Sequence, residues 1–247
     1  MIIWGGTGFE TDARSGGRYN PLTDSWTRTS LQNAPGGGMP WSGANVTAGW
    51  TGSEMLIWSG NDRTGARYDP ATDAWQPMAT VNSPDYGWAA TSVWTGTEWI
   101  VWGGAQSMTA GARYNPTTDT WTAISTAPIG RYYHAAVWTG SQMLVWGGYD
   151  SQGLNPNPGA RYNPANDSWS LMSAANAPLG RTAMSAVWTG SQMLVWGGEQ
   201  GKHLPYGGTI RSCLRHLGGH LDLWGACCAL TAVWTWYDRR SWLRRSL

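Results

Sequence analysis

GGRYNPLTDSW (Gly16–Trp26), GARYDPATDAW (Gly65–Trp75), GARYNPTTDTW (Gly111–Trp121) and GARYNPANDSW (Gly159–Trp169) are one phrase written four times. Its tyrosines, Tyr19, Tyr68, Tyr114 and Tyr162, stand 49, 46 and 48 residues apart. A fixed period in that range indicates stacked supersecondary units, each unable to bury its own faces alone. A second phrase keeps the same period: WTGSEMLIWSG (Trp50–Gly60), WTGTEWIVWGG (Trp94–Gly104), and WTGSQMLVWGG at both Trp138–Gly148 and Trp188–Gly198. The chain opens inside this phrase, with MIIWGG at Met1–Gly6.

Each unit offers four short strands. In the fourth unit they are His134–Trp138, Met143–Trp146, a run ending at Arg161–Tyr162, and Trp169–Met172. Short runs rich in Val, Ile, Trp and Tyr, bounded by Gly, Asn, Pro and Asp, predict antiparallel strands. No apolar stretch of helical period competes with them. The Thr-Gly turns supply glycine where a tight hairpin needs positive φ. The Asn-Pro turns set one φ near the proline value, and Asp24, Asp73, Asp119 and Asp167 read as turn residues beside them.

A double glycine, a tyrosine, six residues and a tryptophan resemble the kelch repeat. The resemblance covers about Met1–Gly208 and rests on four copies with one Tyr-to-Trp spacing. It implies an all-β fold, a kelch-type β-propeller in which each repeat is a four-stranded blade. With 247 residues there is room for about five blades, within the usual range. The first blade lacks its own first strand, so an incomplete or open arc is expected. The Ser-x-Asp-x-Gly-x-Thr-Trp box of sialidases is absent.

Composition agrees. Twenty tryptophans against one phenylalanine follow from fixed positions in each unit, and the expected role is packing between blades. Only tryptophans outside the repeated positions, Trp41 and Trp88, are left as an aromatic platform for sugar stacking. The net charge of +1 and the lack of a basic stripe exclude nucleic acid as the expected partner. There is no secretory signal and no apolar run of membrane length. Extracellular or periplasmic placement is favoured for the parent protein.

The pattern stops at Gly208. Thr209–Leu247 form a separate, atypical segment holding all three cysteines and 6 of 16 basic residues. The preceding 208 residues carry 10 basic against 13 acidic side chains. Thr209–Gly218 can be encoded so that the next reading frame spells RYDPASDTW, the phrase due at that place. The expectation is out-of-frame translation of a last blade, with the pattern returning at Thr231–Thr235 as a first strand able to pair with Ile2–Gly5. Cys213, His216, His220, Cys227 and Cys228 lack zinc-ligand spacing, so no metal is assigned.

In an up-and-down blade the Thr-Gly and Asn-Pro turns share one face, while the loops from second to third strand and between blades share the other. The second set varies: Thr7–Ser15, Asn61–Thr64, Ala105–Ala110, Tyr149–Pro158 and Glu199–Gly207. Variable loops on a rigid scaffold carry binding. Arg14, Asp62, Arg63, Tyr149, Asp150 and Lys202 are the candidates there, and Arg131 and Arg181, which open consecutive first strands, are expected to line a central channel. The repeated Arg18, Arg67, Arg113 and Arg161 read as a structural hydrogen-bonding set. His134 is a lone histidine with Ser185 or Met184 as counterpart, so no catalytic role is assigned.

No nucleophile elbow, phosphate loop or zincin motif is present. The expected function is a non-catalytic scaffold, without cofactor, for a protein or carbohydrate ligand. The alternative is a fragment of a carbohydrate-active or galactose-oxidase-like enzyme whose catalytic residues lie outside this chain. The copper site of that family needs a cysteine-modified tyrosine, and no cysteine precedes Cys213.

Overall fold

The fold was read from a computed structural model that describes residues 1–5, 15–35, 46–60, 63–85, 88–156 and 158–200. Among these residues every regular element is a strand, and every pairing is antiparallel. A three-stranded sheet holds β1 (Ile2–Trp4), β2 (Gly16–Asn20) and β3 (Ser25–Arg28). Three four-stranded sheets follow. They are β4 (Val46–Trp50) to β7 (Ala74–Pro77), β8 (Thr91–Trp94) to β11 (Thr120–Ala123), and β12 (Ala135–Trp138) to β15 (Ser168–Leu171). Their middle strands are β5 (Met55–Ser59), β6 (Thr64–Asp69), β9 (Trp99–Trp102), β10 (Gly111–Asn115), β13 (Met143–Trp146) and β14 (Ala160–Asn163). A two-stranded sheet, β16 (Thr182–Trp188) with β17 (Met193–Glu199), comes last.

Strands are neighbours in chain order within every sheet, and β4, β8, β12 and β16, the first strands of successive sheets, lie side by side. This is the propeller-like arrangement the repeat predicts. The paired register also settles the counterpart of His134. Ala135 opposes Trp146 as Ser185 opposes Trp196, so His134 corresponds to Met184.

The core lies between sheets. Leu56 and Trp58 of one sheet pack on Trp99, Val101, Tyr114 and Trp121 of the next. Ile100 and Trp102 then pack on Met143, Val145 and Tyr162. Each strand therefore buries alternate residues against opposite neighbours, which is why β5 and β9 are buried along their whole length. The tryptophans stack across each junction: Trp4 on Trp75 at 4.4 Å, Trp58 on Trp121 at 5.0 Å, and Trp102 on Trp169 at 4.8 Å between ring centroids. The glycine that opens each phrase makes room for them. A Cβ on Gly111 would lie 2.6 Å from the Val101 carbonyl oxygen and 2.9 Å from the Trp102 ring.

Polar groups repeat as faithfully. Arg18, Arg67 and Arg113 donate from Nη1 to the carbonyls of Pro70, Pro116 and Pro164 in the following sheet, at 2.6, 2.7 and 3.2 Å. The indoles of Trp75, Trp121 and Trp169 reach back to the carbonyls of Ser30, Ala79 and Ser125. Asp73, Asp119 and Asp167 each accept the hydroxyl of their own Tyr and a backbone amide of the preceding sheet's exit segment. The expected turn residues are thus turn residues at positive φ, near 50°, and ties between sheets as well. In the opposite hairpins the Thr51, Thr95 and Thr139 hydroxyls accept two amides of their own turn.

Candidate functional site: an aromatic cluster on the loop face

Segments entering the third and fourth sheets meet the loops that follow β9 and β13, and the backbone stitches them together. Gly104 N donates to Arg131 O at 2.9 Å, Arg131 N to Met108 O at 3.0 Å, and Ala105 N to Trp88 O at 2.9 Å. Tyr132 and Tyr149 exchange both amide–carbonyl bonds, at 3.0 and 2.8 Å. Tyr133 N reaches across to Ala89 O at 3.1 Å. Loops so fixed form a rigid base rather than a loose fringe.

Four rings sit on this base. Trp88 meets Tyr132 and Tyr133 edge-on, at centroid distances of 5.5 and 5.3 Å, and Tyr149 lies 5.5 Å from Tyr132. Tyr132 and Tyr149 are buried, Trp88 is half-buried, and Tyr133 is exposed. Burial raises the Tyr132 phenol above its ordinary range, with Tyr149 and Asp150 adding to the rise. Tyr133 holds φ at +55°, as do Ala89 and Ala183 at equivalent places, at 60° and 53°. For a bulky aromatic residue that conformation is strained by about 1–3 kcal/mol and persists only where the surroundings enforce it.

Beneath the rings lies Arg131. Its side chain is fully buried, and its guanidinium donates to the carbonyls of Gly147 at 2.9 Å, Pro156 at 3.1 Å, and Pro158. Burial lowers its pKa to about 10, opposed by the charge of Asp150, so it remains a cation at neutral pH. Arg131, expected among the binding residues of a channel wall, instead clamps the loop after β13 from inside, because every donor direction it uses ends on a backbone carbonyl. Arg181 repeats the clamp in reduced form, donating to Leu179 O at 3.2 Å and to Gly197 O at 3.3 Å. His134 lies below as well. Its Nε2 is 2.6 Å from the Thr91 hydroxyl, its ring stands edge-on to Trp102, and burial, with Arg131 nearby, lowers its pKa to about 3. It is a neutral packing residue at physiological pH.

The other expected residues are dispersed. Asp150 organises its own loop, accepting the amides of Gln152 and Leu154 at 2.9 and 3.0 Å. Arg63 pairs with Asp85 at 3.4 Å between exposed side chains, a contact of small energetic weight. Arg14, Asp62, Lys202 and Trp41 lie outside the described residues, as does the whole of Thr209–Leu247. Of the expected set, the structure brings Tyr149, Asp150 and Arg131 together with Trp88. It adds Tyr132 and Tyr133, which the sequence reading passed over. Their signal was present: Arg131-Tyr-Tyr-His134 aligns with Arg181-Thr-Ala-Met184, so both aromatics depart from the repeat. Among the described residues no group of three metal-ligating side chains occurs, and no helix is long and apolar enough to cross a membrane.

No protein-family model matches this chain, and no curated protein matches it. Solved structures do, in 176 chains. One of them, described as "Structure of YjhT", superimposes with a TM-score of 0.55 at 14% sequence identity, covering 74% of this chain. This chain spans 66% of that protein's length. At that identity the likeness is one of fold: the succession of antiparallel sheets described above is shared with a known protein architecture.

Proposed function

We propose that this chain is a kelch-type β-propeller scaffold that binds rather than catalyses, and that it takes its ligand on the loop face at Trp88 and Tyr133. One observation carries the reading. Two accessible aromatic rings, both outside the repeated positions, stand on a base immobilised by a buried arginine and by backbone bonds between two sheets. Rigid aromatic side chains supply contact area at low entropic cost, and an immobilised base lowers that cost further. Strain kept at Tyr133 fits a position whose aromatic ring is needed where it stands. The ligand offers a flat, weakly polar face, and a sugar ring is the chemistry that matches best.

The test is a glycan array and a protein pull-down on the full chain, followed by titration calorimetry with whatever is captured. Trp88→Ala and Tyr133→Ala weaken binding roughly tenfold or more, as removal of an aromatic anchor does. Leu22→Ala, on the opposite face, leaves binding unchanged. Affinity insensitive to both aromatic substitutions, or turnover of a sugar or alcohol by the chain, would overturn the reading.

A further inference from the structure

The two ends of the array carry the two halves of one interface. At each junction inside the array, a forward face meets a backward face. The forward face presents the first-strand valine and the second-strand leucine (or isoleucine) and tryptophan, as in Val93, Ile100 and Trp102. The backward face presents the remaining second-strand side chains with the phrase tyrosine and tryptophan, as in Met143, Val145, Tyr162 and Trp169. Among the described residues the forward face of the last sheet is exposed: Val187 and Leu194 are about half exposed, and Trp196 is 85% exposed. Its sequence, WTGSQMLVWGG, is identical to that of the preceding sheet, where the equivalent Trp146 is 5% exposed. The first sheet shows the converse, a bare backward face of Met1, Ile3 and Trp26, with Trp26 53% exposed. Asp24 accepts the Tyr19 hydroxyl, whereas Asp73, Asp119 and Asp167 also accept an amide from a preceding sheet.

We infer that a second copy of this chain covers these faces, head to tail. The forward face of the last sheet in one copy takes the backward face of the first sheet in the next. Trp196 of one copy stacks on Trp26 of the other, as Trp4, Trp58 and Trp102 stack on Trp75, Trp121 and Trp169. The chemistry of the occupant is given by the repeat: each bare face is matched by a surface that already packs against its equivalents three times in this molecule. Among the described residues both faces stand exposed together. Such an interface is heterologous, and it propagates to a ring or an open series. The inference is independent of the ligand reading, since the loop face takes no part in it.

Sedimentation velocity on the full chain over a concentration series tests it, using Trp26→Arg and Trp196→Arg. Both side chains are exposed, and unchanged urea midpoints confirm that both variants fold. The wild-type chain associates with rising concentration. Each variant alone weakens association by at least about 30-fold, the loss typical of a central tryptophan. A mixture of the two variants restores a dimer and goes no further, because each supplies the face the other lacks. A wild-type chain that stays monomeric overturns the inference, including the case in which its own residues 201–247 protect both tryptophans. So does a single variant that associates as the wild type does, or a mixture that remains monomeric.

Discussion

Asp119→Ala removes the side chain on which two sheets meet. Its Oδ1 accepts the Tyr114 hydroxyl at 2.7 Å and the Ala79 amide at 3.0 Å, and its backbone stands at φ +51°. Tyr114 is completely buried, so its hydroxyl loses its partner where water has poor access. A hydrogen bond to a charged group contributes about 1.5–3 kcal/mol, and an alanine in the left-handed region costs roughly 1–2 kcal/mol. Asp119 is only half-buried, and water replaces part of what is lost. The net expectation is about 3–5 kcal/mol, a large share of the stability of an ordinary domain. Asp119→Asn keeps a residue that tolerates the left-handed region and retains an acceptor, so it costs roughly 1–2 kcal/mol.

The repeat provides the control. Asp24→Ala changes the same residue in the same turn at φ +48°, but it breaks one exposed bond to Tyr19 and no tie to another sheet. Urea unfolding followed by tryptophan fluorescence gives both values, and an unchanged slope establishes that stability alone has moved. Asp119→Ala lowers the midpoint far more than Asp24→Ala. Equal losses would refute the reasoning, because the cost would then belong to the turn and not to the tie between sheets.

Acid titration has two windows. His134, held neutral with its pKa lowered to about 3, binds its proton more weakly folded than unfolded. Its contribution is complete above about pH 6.5 and declines as pH falls toward 3, with a slope approaching 1.4 kcal/mol per pH unit; His134→Gln flattens that part of a urea-midpoint profile. Asp73, held below the usual carboxylate range by Tyr68 and the Ser30 amide, and Asp167, held there by the Ser125 amide and Tyr162, add stability that is present above about pH 4. It is lost as pH falls through their folded values, a second drop that Asp167→Asn reduces. Tyr133→Gly relieves the positive φ and raises the thermal midpoint by roughly 2–4 °C while weakening ligand binding, read by calorimetry. Deleting Thr209–Leu247 leaves the thermal midpoint unchanged, as expected for an out-of-frame segment; a sharp fall would show that this segment completes the sheets.

The fold was legible because the forces that make it recur at fixed spacing. Trp58, Trp102 and Trp146 hold the same register in their sheets, and the glycine facing each is called for by the ring it faces. A period of strands and turns is therefore a period of contacts. Arg18, Arg67 and Arg113 were legible for the same reason: one strand position beside one proline turn yields one hydrogen bond per junction, while Arg161 donates to Ser170 in its own sheet. The loop face obeys no period, and there the sequence indicated composition but not direction. Arg131, which opens a first strand as Arg181 does, and Arg63 in a variable loop both read from the sequence as facing a ligand. One is drawn inward by the carbonyls of Gly147, Pro156 and Pro158, and the other stays in water with Asp85; the inward direction depends on a loop distant in the chain. Tyr132 and Tyr133 are adjacent and both meet Trp88, yet Tyr132 is buried while Tyr133, at the left-handed turn, is exposed. That turn recurs at Ala89 and Ala183, where an alanine gives no sign of it in the sequence. The proposed binding face is thus set by a backbone feature that the repeat conserves and by side chains that it does not. Departures from the repeat, rather than charged loop residues as such, are the places to look for recognition in this chain.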